Sequence, residues 1–163
     1  MSLVQLRSRG ILDGTISAGD LATGVGGKVL QVVQGSYTGT VSTTSTSYVT
    51  TNLTASITPS SSSNKILIMV SLIDCYQTTS NQVERSMIYR GASPLISSGA
   101  APTFGSNYNP ASGITVGHCY QYLDSPATTS STTYTVYFRG EGGTVYVNVN
   151  GGTSFIQLLE ISA

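Results

Sequence analysis

The sequence predicts an all-β chain: a single antiparallel jelly-roll β-sandwich preceded by an extended N-terminal arm. Strand-length runs rich in Val, Ile, Thr and Tyr recur along residues 28–163, separated by clusters of Ser, Thr, Gly, Pro and Asn. Several of these runs alternate apolar and polar residues with period two, and none beyond the arm carries the apolar spacing of a helix. About eight to ten short strands follow from this punctuation, a pattern of the jelly-roll type.

The chain has 163 residues and a mass of 17.0 kDa, enough for one domain with a real core and no metal or disulfide staple. Only 9% of residues are charged, against about 25% in ordinary soluble domains, and the formal net charge is zero. No long-range field is available to steer an anionic partner, so nucleic-acid binding is disfavoured. A hydrophobic content of 39% with strong β patterning opposes disorder despite the Ser/Thr-rich texture. Near-zero net charge suits a protein that works packed among others, because copies repel one another little. The longest apolar run, residues 66–70 with Leu72 and Ile73 beyond Ser71, is strand-sized and far below a membrane span. No secretory signal is recognised at the N-terminus, so the reduced state is expected and Cys75 and Cys119 read as buried thiols, with pairing as the alternative.

The first and last strands frame the domain. They are residues 28–34 and 153–161, β-branched or apolar runs bounded by glycines, and candidates for neighbours in one sheet. Residues 37–49 should form a hairpin or a ragged edge strand, since Thr favours strands and Ser turns. Residues 53–58 alternate, and Pro59 with the serines after it forces a turn. Residues 65–75 are nearly all apolar and read as a central strand covered on both faces. Residues 83–90 return with Val83, Arg85, Met87 and Tyr89 on one side, and residues 91–113, with three prolines, read as a long irregular connection. Residues 114–123 and 132–139 are strands, the latter alternating Tyr134, Val136 and Phe138 against threonines and Tyr137. Residues 144–150 place Val145, Val147 and Val149 inward and Tyr146, Asn148 and Asn150 outward, and Asn150, Gly151 and Gly152 should make a tight hairpin into the last strand.

Residues 1–27 are set apart as the arm. Glycines at 10, 14, 19, 24, 26 and 27 cost too much backbone entropy for a stable helix. The arm buries little by itself, so Leu3, Leu6, Ile11, Leu12, Ile16 and Leu21 are expected to rest on a neighbouring chain.

Two short phrases and a texture carry a resemblance. Asp13-Gly14-Thr15-Ile16-Ser17-Ala18-Gly19-Asp20-Leu21 is followed by Gly27-Lys28-Val29-Leu30-Gln31-Val32-Val33, then by Ser/Thr-rich text, Ile57-Thr58-Pro59-Ser60, Lys65-Ile66-Leu67 and a closing Leu158-Leu159-Glu160-Ile161. This resembles virion surface proteins of tailed bacteriophages. The resemblance implies a homotrimer of jelly rolls similar to the C1q and tumour-necrosis-factor folds, with the terminal strands near the threefold axis, and hence Val29, Gln31, Val33, Phe155, Gln157 and Leu159 at the trimer interface. It implies a non-enzymatic protein on the outer surface of the virion, assembled in the host cytoplasm. Its partner would be the major capsid protein, for a decoration or cement protein, or tail proteins, for a fibre. The chain lacks the heptads and collagen-like triplets of a fibre shaft, which favours decoration. As a fibre tip it would use residues 91–113 to touch a cell-surface glycan, with Phe104 and Tyr108 as contacts.

No cofactor or metal is expected. Gly24-Val25-Gly26-Gly27-Lys28 resembles a phosphate loop, but that pattern needs Gly at Ala22 and Ser or Thr at Val29, and must open a helix. His118 beside Cys119 is the sole histidine, so a zinc site would need carboxylates or three His118 copies on a symmetry axis; a strand histidine bonded to a neighbour is the simpler reading. A Ser–His–acid set from His118 and Asp124 lacks a nucleophile turn. The carboxylates Asp13, Asp20, Asp74, Glu84, Asp124, Glu141 and Glu160 are too scattered to suggest a glycosidase pair. Asn52-Leu53-Thr54 reads as a turn. Tyr89, Tyr108, Tyr120, Tyr122, Tyr134, Tyr137 and Tyr146 either cover sandwich faces or offer a subunit or sugar surface.

Overall fold

The computed structural model describes residues 29–96, 103–110 and 113–163. Among these are eleven strands: β1 (Val29–Tyr37), β2 (Val41–Thr43), β3 (Val49–Ile57), β4 (Lys65–Gln77), β5 (Gln82–Arg90), β6 (Ser93–Pro94), β7 (Gly105–Asn109), β8 (Thr115–Asp124), β9 (Thr132–Gly140), β10 (Val145–Val147) and β11 (Ser154–Ile161). The predicted arm, residues 1–27, lies outside the described residues. Strand pairing is antiparallel throughout and builds two sheets. One runs β1-β11-β4-β10-β2 with β8 on the other edge of β4; the second runs β3-β9-β5-β6 with β7 also on β5. The terminal strands are neighbours, as their sequences suggest, with Val33 opposite Leu158.

Period-two patterning decides what lies between the sheets. Leu53, Ala55 and Ile57 of β3 and Tyr134, Val136 and Phe138 of β9 meet Ile66, Ile68, Val70 and Leu72 of β4 and Ile156 and Leu158 of β11. Each such side chain contributes roughly 1.5–3 kcal/mol on full burial. Slipping any strand by one residue would turn its apolar set to solvent, so the alternation also fixes register.

A bulge in β4 redirects that alternation. Asp74 adopts a left-handed backbone, φ 50°, where the register with β8 shifts between Leu72 and Cys75. Amides of Asn148 and Val149 take up the carbonyls of Ile73 and Asp74. The extra residue flips parity, so Cys75 and Gln77 point inward where Asp74 and Tyr76 otherwise would.

Several expectations need correction. The strand count exceeds eight to ten because the irregular stretch 91–113 contains β6 and β7, which extend the free edge of β5. β10 and β11 form no hairpin: β10 pairs with β2 and the end of β4, while β11 pairs with β1 and the start of β4. Asn148 faces inward, not outward. With φ 58° it ends β10, donates to the carbonyls of Tyr37 and Gly39, and accepts from Ser154 Oγ at 2.6 Å. Residues 41–43 resolve the hairpin-or-edge question as a short edge strand. β4 is central but covered on one face only, since Met69 on the other is 40% exposed. Cys75 is buried as expected, but Cys119 is exposed on the opposite face of the same sheet, and both are free thiols.

Candidate functional site

Two features stand out against this frame: three uncharged rows on an outer sheet face, edged by Lys65, and a buried polar corner. The outer face belongs to the larger sheet, where β1, β11, β4 and β8 lie side by side. Register aligns their outward residues in rows, because directly opposed residues in antiparallel strands share a face. Val32, Leu159, Leu67 and Leu123 form one row; Gln34, Gln157, Met69 and Gln121 the next; Ser36, Phe155, Ser71 and Cys119 the third. None of these twelve side chains is charged. Val32 is 60% exposed and Leu123 48%. Gln157 Nε2 donates to Gln34 Oε1 at 2.9 Å, tying the middle row together. A shallow concavity of ≈ 670 Å³ opens over the second and third rows, lined by Gln34, Met69, Ser71, Cys119, Gln121, Phe155 and Gln157.

The polar corner lies between the sheets, where β4 and β8 face β5 and β7. The β4 bulge brings Cys75 and Gln77 inward, β5 contributes Glu84 and Ser86, and β8 contributes His118 and Tyr120. Gly105 of β7 lets its backbone come close: a Cβ there would stand 2.5 Å from Ser86 Oγ and 3.2 Å from His118 Nδ1. Among the described residues, seven buried side-chain atoms lack a hydrogen-bond partner, and all belong to these four strands: Gln77 Oε1, both Glu84 carboxylate oxygens, Ser86 Oγ, Asn107 Nδ2, His118 Nε2 and Tyr120 Oη. Glu84 Oε2 and His118 Nε2 are 2.8 Å apart, an ion-pair distance, yet they are not aligned as a hydrogen bond. Burial pushes the Cys75 thiol well above its ordinary range, and the Glu84 charge adds to the shift.

No protein-family model matches the chain, and no curated protein does. Solved structures do. The crystal structure of the infectious bursal disease virus VP2 subviral particle is similar at a TM-score of 0.51 and 13% identity, over 80% of this chain and 32% of that one. A second structure, of T=1 particles derived from the same virus, gives 0.45 at 10% identity, over 82% and 36%. The chain has a viral-capsid type of β-fold. It spans about a third of the length of these chains.

Within this capsid-type sandwich the expected site residues fall in different places. Phe155, Gln157 and Leu159 point outward on β11. Gln31 and Val33 point inward: Val33 packs on the core, and Gln31 donates to Glu160. The outward residues of β1 are Leu30, Val32 and Gln34, because a register shift between Val29 and Gln31 sets the parity of the strand. Val29 is 46% exposed at the strand's start. Leu3, Leu6, Ile11, Leu12, Ile16 and Leu21 lie outside the described residues. Phe104 stacks on Tyr120, ring centroids 5.7 Å apart, and packs edge-on against Tyr122 at the core margin. Tyr108 is 58% exposed, its hydroxyl donating to Asn81 Oδ1.

His118 is turned into the sandwich, 8% exposed, which removes the reading of three His118 copies on a surface axis. Its acidic neighbour is Glu84, not Asp124, whose carboxylate accepts from Tyr134 Oη at 2.6 Å and Arg90 Nη1 at 2.9 Å. Burial, then the hydrogen bond to Asp124, pushes the Tyr134 phenol up. Ser86, His118 and Glu84 superficially suggest an acyl-transfer set, but Ser86 and Glu84 have no exposed surface for a substrate to reach. The sequence reading missed the meeting of Cys75, Glu84 and His118. Its only available signal was the inward parity of Glu84 with Ser86 and Ile88, opposite the set Val83, Arg85, Met87 and Tyr89.

Proposed function

We propose that the chain is a non-enzymatic structural protein of a tailed-phage virion: a homotrimeric decoration or cement protein on the outer capsid surface, held to the major capsid protein by residues 1–27. The observation that carries this reading is the set of three uncharged rows on the outer face of the larger sheet. Interface cores are depleted of charge and built from aliphatic and aromatic side chains. Val32, Leu159, Leu67 and Leu123, with Leu30 and Phe155 beside them, supply such a core for contact between copies around a closed axis, as in C1q- and tumour-necrosis-factor-like trimers. The fold supports a particle role, since the similar VP2 forms a subviral particle.

The arm supplies the attachment to the shell. Each of its leucines and isoleucines adds about 1.5–3 kcal/mol when buried on a partner, before the cost of ordering the chain. Three arms on one trimer then act with avidity, compensating for a body with no net charge to attract the shell. Deleting residues 1–25 is expected to leave a trimer by sedimentation equilibrium that no longer binds particles. Unchanged occupancy on particles would overturn the anchoring role, and a monomeric full-length chain at micromolar concentration would overturn the trimer.

The exposed Tyr108 ring favours a second reading, a host-binding module of a tail or head fibre that recognises a cell-surface glycan. Copy number separates the two: hundreds per virion on a quantified protein gel mean decoration, and a few to a few tens mean a fibre.

A further inference from the structure

We propose that Cys75, Glu84 and His118 form a buried Zn²⁺ site that ties the two sheets together. Their ligating atoms all lie within 4.8 Å of one another, and all three residues are buried. Cys75 and His118 come from neighbouring strands of the larger sheet, and Glu84 comes from the smaller one, so a shared ion would bridge the layers. Thiolate, imidazole and carboxylate are the donor set that zinc takes.

Three observations favour an ion over a bare Glu84–His118 pair. The 2.8 Å contact lacks hydrogen-bond alignment, so the imidazole nitrogen and the carboxylate converge on common space without the geometry that satisfies both. Glu84 has no exposed surface; its Oε1 has no partner and its Oε2 has only His118, so the buried carboxylate is incompletely satisfied, which costs free energy that a bound cation would recover. Charge also balances: Zn²⁺ with one thiolate, one carboxylate and a neutral imidazole has no net charge, which suits a low-dielectric interior.

Binding breaks the Cys75 S–H bond, sends the proton to solvent and forms the Sγ–Zn bond, while Glu84 and His118 each donate a lone pair. Bonds of about 2.0–2.3 Å in a tetrahedral site set ligand separations of about 3.3–3.6 Å. Side-chain adjustments of about an ångström reach that geometry, opening the 2.8 Å Glu84–His118 contact and drawing in the wider separations, with water in the fourth position. The bulge at Asp74 and the absence of a Cβ at Gly105 are what this geometry needs: the first turns Cys75 inward, and the second leaves His118 room.

Titration of the chelator-stripped full-length protein with Co²⁺ tests the site. One ion per chain should bind and produce a thiolate-to-cobalt charge-transfer absorption that Zn²⁺ displaces. Loss of an outer partner alone costs 10–100-fold in metal affinity, so Cys75→Ser, Glu84→Gln or His118→Asn should cost more than about 100-fold. The chain has two cysteines, so the band in Cys119→Ser can come only from Cys75, and this variant decides the matter even if Cys75→Ser does not fold. Absence of the band in the wild type, or its loss in Cys119→Ser with retention in Cys75→Ser, overturns the proposal.

Discussion

The Gln31 amide donates to Glu160 Oε2 across 2.6 Å, joining the first strand of the sandwich to the last on its inner side. Glu160 has no exposed surface, and its other oxygen accepts from the Ser60 amide, Ser60 Oγ and Asn64 Nδ2 at 2.6–2.7 Å. Gln31 also donates to the Thr58 carbonyl. One carboxylate thus fastens both terminal strands to the turn that enters β4.

Glu160→Gln should therefore lower stability at neutral pH by about 1.5–3 kcal/mol, the scale of hydrogen bonds to a charged group. Desolvation pulls the carboxyl upward, but the bonds from Asn64, Gln31 and Ser60 outweigh it and hold the pKa at about 2, against an ordinary 4.5. The folded state then binds fewer protons than the unfolded one. The contribution is whole above about pH 4.5 and is lost as pH falls through about 2. Thermal unfolding of wild type and variant between pH 6 and 2 should converge at the acid end; a constant gap would refute the assignment.

Gly35 stands where β1 crosses β3. A Cβ there would lie 2.0 Å from the Thr54 carbonyl oxygen, a backbone atom that cannot rotate away. Gly35→Ala should cost about 1–3 kcal/mol or more by forcing the sheets apart, read as a fall in denaturant midpoint. An unchanged midpoint would mean that the terminal strand yields freely.

What the sequence made legible was whatever depends on local alternation. Tyr134, Val136 and Phe138, or Leu53 and Ile57, announce their inward face because period two places them there and nothing interrupts it. The terminal strands were legible as a pair, from two apolar runs bounded by glycines. Parity failed where the backbone takes an extra residue: the shift near Leu30 turns Gln31 and Val33 inward, and Asp74 turns Cys75 inward, and neither has a composition signal. Long-range register was equally hidden. Nothing local tells Cys75 that His118 lies across the strand edge, or tells β10 that its partners are β2 and β4 and not the adjacent β11.

Asp74 yields a prediction of its own. A left-handed backbone costs an ordinary side chain about 1–2 kcal/mol, least for Asn or Asp and most for a β-branched residue. Asp74→Gly should match or slightly exceed wild-type stability, and Asp74→Val should fall below it by about that amount in chemical denaturation. Equal stability of the Val and Gly variants would mean that the bulge is not under backbone control.

The uncharged rows make the most direct prediction about assembly. Val32 and Leu159 are opposed across β1 and β11 on the outer face, where neither contributes to the core between the sheets. Val32→Glu with Leu159→Glu places two like charges side by side there, a cost of little consequence while the face meets water but large once it is desolvated against a second copy. The double variant should unfold within about 1 kcal/mol of wild type and run as a monomer, with the wild type running as the proposed trimer. Val33→Glu is the matched control: its side chain packs on the core, so it should damage folding itself. If the outer double variant remained trimeric, the copies would have to meet through some other face, and the four-strand row would be left as ordinary exposed surface.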